Sequence, residues 1–97
     1  MENEAIYERC VALWGRKAQW GMVQEECAEL IVAVNKWDRN KIDANAVFEE
    51  IADVLIMCEQ AACMMGKQPA WDEVLRIKRE KLKRLENSIP PAPTKEK

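Results

Sequence analysis

Two acidic runs carry the chemistry that this sequence can do: Glu25-Glu26-x-x-Glu29 and Glu50-x-x-Asp53. Residues three or four apart on an α-helix share a side, so each run presents its carboxylates together. On two packed helices, Glu26, Glu29, Glu50 and Asp53 can surround one small volume, with Glu25 at its edge. Like charges about 4 Å apart repel by roughly 4 kcal/mol at an effective dielectric near 20. The simplest partner for such a cluster is a hard divalent cation. Oxygen-only ligands favour Mg²⁺ or Mn²⁺ over zinc.

Absent residue types narrow the field further. The 97-residue chain has no histidine. Histidine general bases, Ser-His-Asp triads, His-ligated zinc and the Glu-x-x-His pattern of di-iron bundles are therefore excluded. The four cysteines, Cys10, Cys27, Cys58 and Cys63, have no CxxC spacing. No signal-peptide pattern opens the sequence, and no charge-free apolar run reaches about 18 residues. The expectation is a reduced cytoplasmic protein whose thiols are mostly buried as small hydrophobes. A net charge of −2 gives no general attraction for a nucleic acid polymer or an anionic membrane. An anionic ligand must then be held by local cations or by a bound metal.

The elements that must position the carboxylates read as four helices and a tail. The first covers about residues 2–14, with Ile6, Cys10 and Leu13 at helical spacing, and Gly15 breaks it. The second covers about 18–37, with Val23, Cys27, Leu30, Ile31 and Val34 as its apolar stripe. Asp38-Arg39-Asn40-Lys41 separates it from the third, which Asp43 or Asn45 can cap and which ends at Gly66. Pro69 suits the first turn of a fourth helix over about 70–87. The Pro-rich segment 89–97 reads as a flexible tail after a helical domain of residues 1–88. No strand alternation appears. The class is all-α, a bundle of antiparallel helices. So small a chain buries only about 60–65% of its unfolded surface, so oligomerisation is expected to complete it.

The second helix alone is ordinary amphipathicity: Glu25 and Glu29 lie away from the apolar stripe, Glu26 near its border. A solvated acidic face is the plain alternative there. The third helix, over 51–65, is apolar nearly all round and should be buried on most of its surface. Glu50 and Asp53 sit beside Met57 and Met64, so a metal or a cation is expected near them. On the fourth helix Lys78 falls within the apolar stripe Trp71, Val74, Leu75, Leu82 and Leu85, with Lys81 at its margin and Arg84 further round. Lys78 either snorkels to water or meets phosphate or excess carboxylate charge. Glu59, close to the core side of the third helix, is given no role by the sequence, a cation across an interface being one partner open to it.

With these residues in place, the order Glu25-Glu26-x-x-Glu29, twenty intervening residues, Glu50-x-x-Asp53 resembles the EExxE…ExxD signature of the MazG-like, all-α nucleoside triphosphate pyrophosphohydrolases. Trp14-Gly15 with Ala18-Gln19 resembles that family's lead-in, and Glu50-Ile51-Ala52-Asp53-Val54-Leu55-Ile56-Met57 its second metal helix. Lys78-x-x-Lys81-x-x-Arg84-Leu85 resembles its C-terminal basic helix. The resemblance spans roughly residues 10–86. It implies a four-helix bundle, Mg²⁺-dependent conversion of a (d)NTP to (d)NMP and pyrophosphate, and a homodimer or homotetramer. It also implies Glu26, Glu29, Glu50 and Asp53 as metal ligands, with Glu25 or Glu26 as the catalytic base. Gln19, Lys36, Lys78, Lys81 and Arg84 become substrate contacts, and Trp20 or Trp37 a stacking surface. Two readings stand beside this one: a non-enzymatic helical dimerisation or regulatory module, and the same enzyme acting on a modified nucleotide or guanosine alarmone.

Overall fold

One glycine both ends the first helix and begins the second. In the computed structural model, which describes residues 1–92, α1 is Glu4–Trp14 and α2 is Arg16–Asp38. Gly15 lies between them with φ +89°. Its N–H donates to the Val11 carbonyl at 2.8 Å, and its own carbonyl accepts from the Gln19 N–H at 3.1 Å. At the far end of α2 the chain turns through Asn40, at φ +58°. The N–H of Lys41 donates to the Lys36 carbonyl and that of Asn40 to the Trp37 carbonyl, at 2.8 and 2.9 Å. Both bonds belong to a Schellman turn, for which asparagine is the common alternative to glycine.

Helix α3 is Ala44–Ser88. Asp43 caps it by accepting from the Ala46 N–H at 3.1 Å, as its residue type predicts. The helix is interrupted at Gly66 and Lys67, whose backbones are not helical. These two residues divide α3 into the third and fourth helices expected from the sequence, which meet at a kink with no longer loop between them. Pro69 sits in the first turn after the interruption, where its missing N–H costs no bond. Lys67, at φ +57° and ψ −135°, occupies a region that costs of order 1–3 kcal/mol for a residue with a side chain. Two contacts brace it: Lys67 Nζ lies 2.9 Å from Glu8 Oε1, and the Arg16 guanidinium donates to the Met64 carbonyl at 2.6 Å.

Helix α2 packs chiefly on the first half of α3 through a heptad-spaced seam. On α2 the buried and half-buried positions include Gln19, Val23, Glu26, Leu30 and Ala33; on α3 they include Glu50, Asp53, Met57, Gln60 and Met64. Two expectations are corrected here. Cys27, Ile31 and Val34, assigned to the inner stripe of α2, are exposed, because α2 is rotated to turn Glu26 inward. The 51–65 stretch is not buried on most of its surface: Ile51, Leu55, Ile56 and Met65 are exposed, since α1 and α2 cover only one side. The thiols follow suit, with Cys63 buried, Cys10 half-buried, and Cys27 and Cys58 exposed and free.

Helix α1 is held by polar contacts. The Tyr7 hydroxyl donates to Glu59 at 2.8 Å, and the Gln60 amide donates to the Tyr7 carbonyl at 3.4 Å. Glu59 therefore takes a phenol within its own chain. Burial first, and then this hydrogen bond and the charge of Glu59, push the Tyr7 pKa up to about 12. Beyond residue 75 every described side chain of α3 is exposed, so this half projects from the body. The radius of gyration is 17.6 Å, against about 13 Å for a compact chain of 100 residues. Residues 89–92 are non-helical; the rest of the tail read from the sequence, 93–97, lies outside the described residues.

A Cβ at Gly15 would meet nothing within 4 Å, so only its positive φ resists substitution. Gly15→Ala should lower unfolding free energy by about 1–3 kcal/mol with unchanged native helicity, measured by urea denaturation followed by circular dichroism.

Candidate metal centre

The seam between α2 and α3 places carboxylates where coiled helices usually place leucine. Glu26 occupies a seam position on α2, and Glu50 and Asp53 occupy two on α3. One oxygen from each of Glu26, Glu29 and Glu50 lies within 4.8 Å of the others. Asp53 stands just outside this triple, near enough for its charge to act on both Glu26 and Glu50. The two runs separated by twenty residues therefore do converge, with three members in mutual reach and the fourth beside them.

The electrostatics are those of crowded negative charge. Burial leads the upward shift of Glu26 to about 7, followed by the charges of Glu29 and Asp53, a hydrogen-bond contact with Glu29, and the charge of Glu50. Glu50 is also raised, by burial first and then by Glu29, Asp53 and Glu49. No lysine or arginine is among the leading influences on either group. Glu26 Oε2 and Glu50 Oε2 are sealed from water and have no hydrogen-bond partner among the described residues. A buried carboxylate oxygen without a partner is costly. Two of them within a three-carboxylate set fit a hard divalent cation, which favours oxygen donors and neutralises their charge.

A groove of about 390 Å³ opens beside the cluster. Glu25, Glu29 and Glu50 form its acidic side, Val32, Ala33, Ile42 and Ala46 its apolar walls, and Lys36 is its one cation. Lys36 is two helical turns from Glu29, about 10 Å along α2. The alanines at 28, 33 and 46 leave the groove open, a signal present in the sequence that the motif reading passed over. A wider hollow of about 600 Å³ runs along the exposed face of α1, lined by Ile6, Arg9, Cys10, Leu13 and Trp14. It has no carboxylate and no second element, so the groove is the site with chemistry.

The remaining expected contacts are distributed unevenly. Glu25 is exposed at the groove, as a base open to solvent must be. Gln19 is 5% exposed, within the α2 seam and outside the groove lining. Trp20 is half-buried and Trp37 about half exposed; neither lines the groove. Lys78, Lys81 and Arg84 are exposed on the projecting half of α3, and none lines the groove. The chain matches no protein-family model, no curated protein and no solved structure. The site must be argued from its own atoms.

The shift of Glu26 fixes a pH dependence. Its folded pKa of about 7 exceeds the ordinary 4.5, so the folded chain holds an extra proton between those values. The stability linked to that proton is complete below about pH 4.5 and is lost as pH rises through 7. Chelator-treated protein should melt higher at pH 5.5 than at pH 7.5, and Mg²⁺ at pH 7.5 should recover the loss. Glu26→Gln should flatten the chelated profile in the same thermal scans.

Proposed function

We propose that this chain is a Mg²⁺-dependent nucleoside triphosphate pyrophosphohydrolase of the MazG-like kind, converting a (d)NTP to the monophosphate and pyrophosphate. The observation that carries the reading is the convergence of Glu26, Glu29 and Glu50 within 4.8 Å, with two oxygens buried and unpartnered. The signature order of the carboxylates and the groove beside them support the same reading. Among the described residues no helix is long and apolar enough to cross a membrane. We place the protein in the cytoplasm, where four free thiols stay reduced.

Phosphoryl transfer depends on positioning and charge neutralisation more than on covalent chemistry. Glu26, Glu29, Glu50 and Asp53 would hold the cation. The bound Mg²⁺ supplies neutralisation of phosphate charge and a lowered pKa for water. The chain's own groups do the rest. A water oxygen bonds to the α-phosphorus as the bond to the bridging oxygen breaks, and the electron pair leaves with pyrophosphate. The water's proton passes to a carboxylate. Glu25 offers an open one at the groove, and Glu26 is its neighbour in the chain. Lys36, the cation of the groove, holds phosphate or base there. No nucleophilic side chain is needed.

The exposed apolar surface favours a homodimer or homotetramer, with the bundle completed between copies. That same surface favours the second reading, a non-enzymatic association module. Calorimetric titration of Mg²⁺ with a nonhydrolysable triphosphate separates the two, because a module shows no metal-dependent nucleotide binding.

A panel of canonical, modified and damaged (d)NTPs with Mg²⁺, scored for pyrophosphate against phosphate, tests the reaction. Glu50→Gln and Asp53→Asn should each lower pyrophosphate release by roughly 10²–10³, the usual loss for a preorganised charge contact. Circular dichroism should stay helical. Full activity in both variants rules out the metal assignment.

A further inference from the structure

We infer that the projecting half of α3 is a lid, hinged at Gly66 and Lys67, that folds back along the first half of α3 in the same chain. Each half carries an apolar seam without a partner. On the first half Phe48, Ile51, Leu55, Cys58 and Met65 are all exposed and, with Ala62, keep heptad spacing. On the second half Trp71, Leu75, Lys78, Leu82, Leu85 and Ile89 keep the same spacing, and Leu82, Leu85 and Ile89 are 53–57% exposed. The two seams are in register about the kink. Leu82 and Ile51 stand equally far from it along the chain, as do Leu85 and Phe48, and Leu75 and Cys58. A helical hairpin closed at Gly66 and Lys67 lays each of these pairs side by side, and about two residues suffice for its turn. Ser88, the last helical residue, then comes level with Asn45, at the start of α3. A contact with another molecule would require no such symmetry about the kink.

Charge follows the same register. Lys83 and Arg84 come level with Glu50 and Glu49, and Lys81 with Ala52, next to Asp53. None of these six charged groups has an ion-pair partner among the described residues, so closing the lid sets opposite signs together. Lys78 comes level with Leu55, where its aliphatic stem can lie along the seam. The hinge is suited to movement. Lys67, at φ +57°, is strained for a residue with a side chain, and its brace to Glu8 is an exposed ion pair that holds it only weakly. A few such residues at the end of an element absorb the backbone change when a lid swings. Burial along the lid is graded: Trp71 and Leu75 near the hinge are half-buried, and every described residue beyond Leu75 is exposed. Closing takes the outer apolar side chains of both halves out of water. It leaves Ile6, Leu13, Ile31 and Val34 for contact between copies. This deepens the hydrolase reading and rests on it only in giving the lid's cations a phosphate to meet. The closure itself stands on register and charge.

The test uses the full chain, half unlabelled and half nitrogen-15-labelled, denatured together in urea and refolded. Zero-length carbodiimide coupling then joins lysine ammonium groups to carboxylates in contact, and mass spectrometry reads the label on each side of a link. Peptides joining Lys81 or Lys83 to Glu49, Glu50 or Asp53 are expected, with the same label on both sides. Mixed-label links between these segments, or no link between them, would overturn the inference. Leu82→Glu with Leu85→Glu should lower the yield of these links at least tenfold while circular dichroism stays helical, since both side chains are exposed when the lid is open. An unchanged yield in that variant counts against the apolar seam and overturns the inference too. Hydrolysis by a chain that shows no link sinks the lid alone, whereas a linked chain without hydrolysis sinks the enzyme reading alone.

Discussion

Negative charge held between two helices is the constraint on which the rest of this structure depends. The α2–α3 seam has heptad spacing, yet Glu26, Glu50 and Asp53 occupy positions where apolar side chains would pack at lower cost. Repulsion among them, added to burial, raises Glu26 to about 7 and leaves an oxygen on each of Glu26 and Glu50 without a partner. A seam built this way gives up stability that a leucine seam would supply. The exchange makes sense where the carboxylates act on something bound between them, and the groove with Lys36 provides the room.

The orientation of α2 follows from the same constraint. A helix with Cys27, Ile31 and Val34 on one side would normally turn that side toward its neighbour. Here Glu26 is turned inward beside Val23, Leu30 and Ala33, while Cys27, Ile31 and Val34 face out. The described interior is small: Tyr7, Ala33, Ala62, Cys63 and Met64, with Gln19 and Gln60 among them. Large apolar residues from Ile6 to Ile89 remain uncovered. Exposed patches of this kind mark association surfaces in small helical proteins. The carboxylates in the seam and the uncovered apolar surface thus have one cause.

Much of this was legible in the sequence, and the parts that were not share a physical reason. Gly15, Asp43 and Pro69 mark helix boundaries through local backbone chemistry, which a single sequence states outright. The shared side of Glu26 and Glu29 could be read because i to i+3 spacing survives any packing; Glu50 joins them through the contact of α3 with α2. The rotation of α2 could not, since periodicity names an apolar face without saying whether it meets a neighbour in the same chain. The partner of Glu59 was hidden as well: Tyr7 is 52 residues away, and no local pattern joins a phenol to a distant carboxylate. Gln60, 1% exposed, reads as a polar residue in an apolar run until its bond to the Tyr7 carbonyl is seen. The interruption at Gly66 was visible, but its directness, with no loop between the halves of α3, depends on the backbone of Lys67.

The tyrosine at the start of the chain also governs how α1 can move. Apolar contacts let a helix slide by small steps, because one methyl group replaces another with little loss. A phenol seated on Glu59 and a glutamine amide seated on the Tyr7 carbonyl allow no such gradation. Displacement by a single turn would strand a hydroxyl, a carboxylate and an amide together in an interior with little water. Shifting the first helix by one turn therefore costs both of these bonds at once.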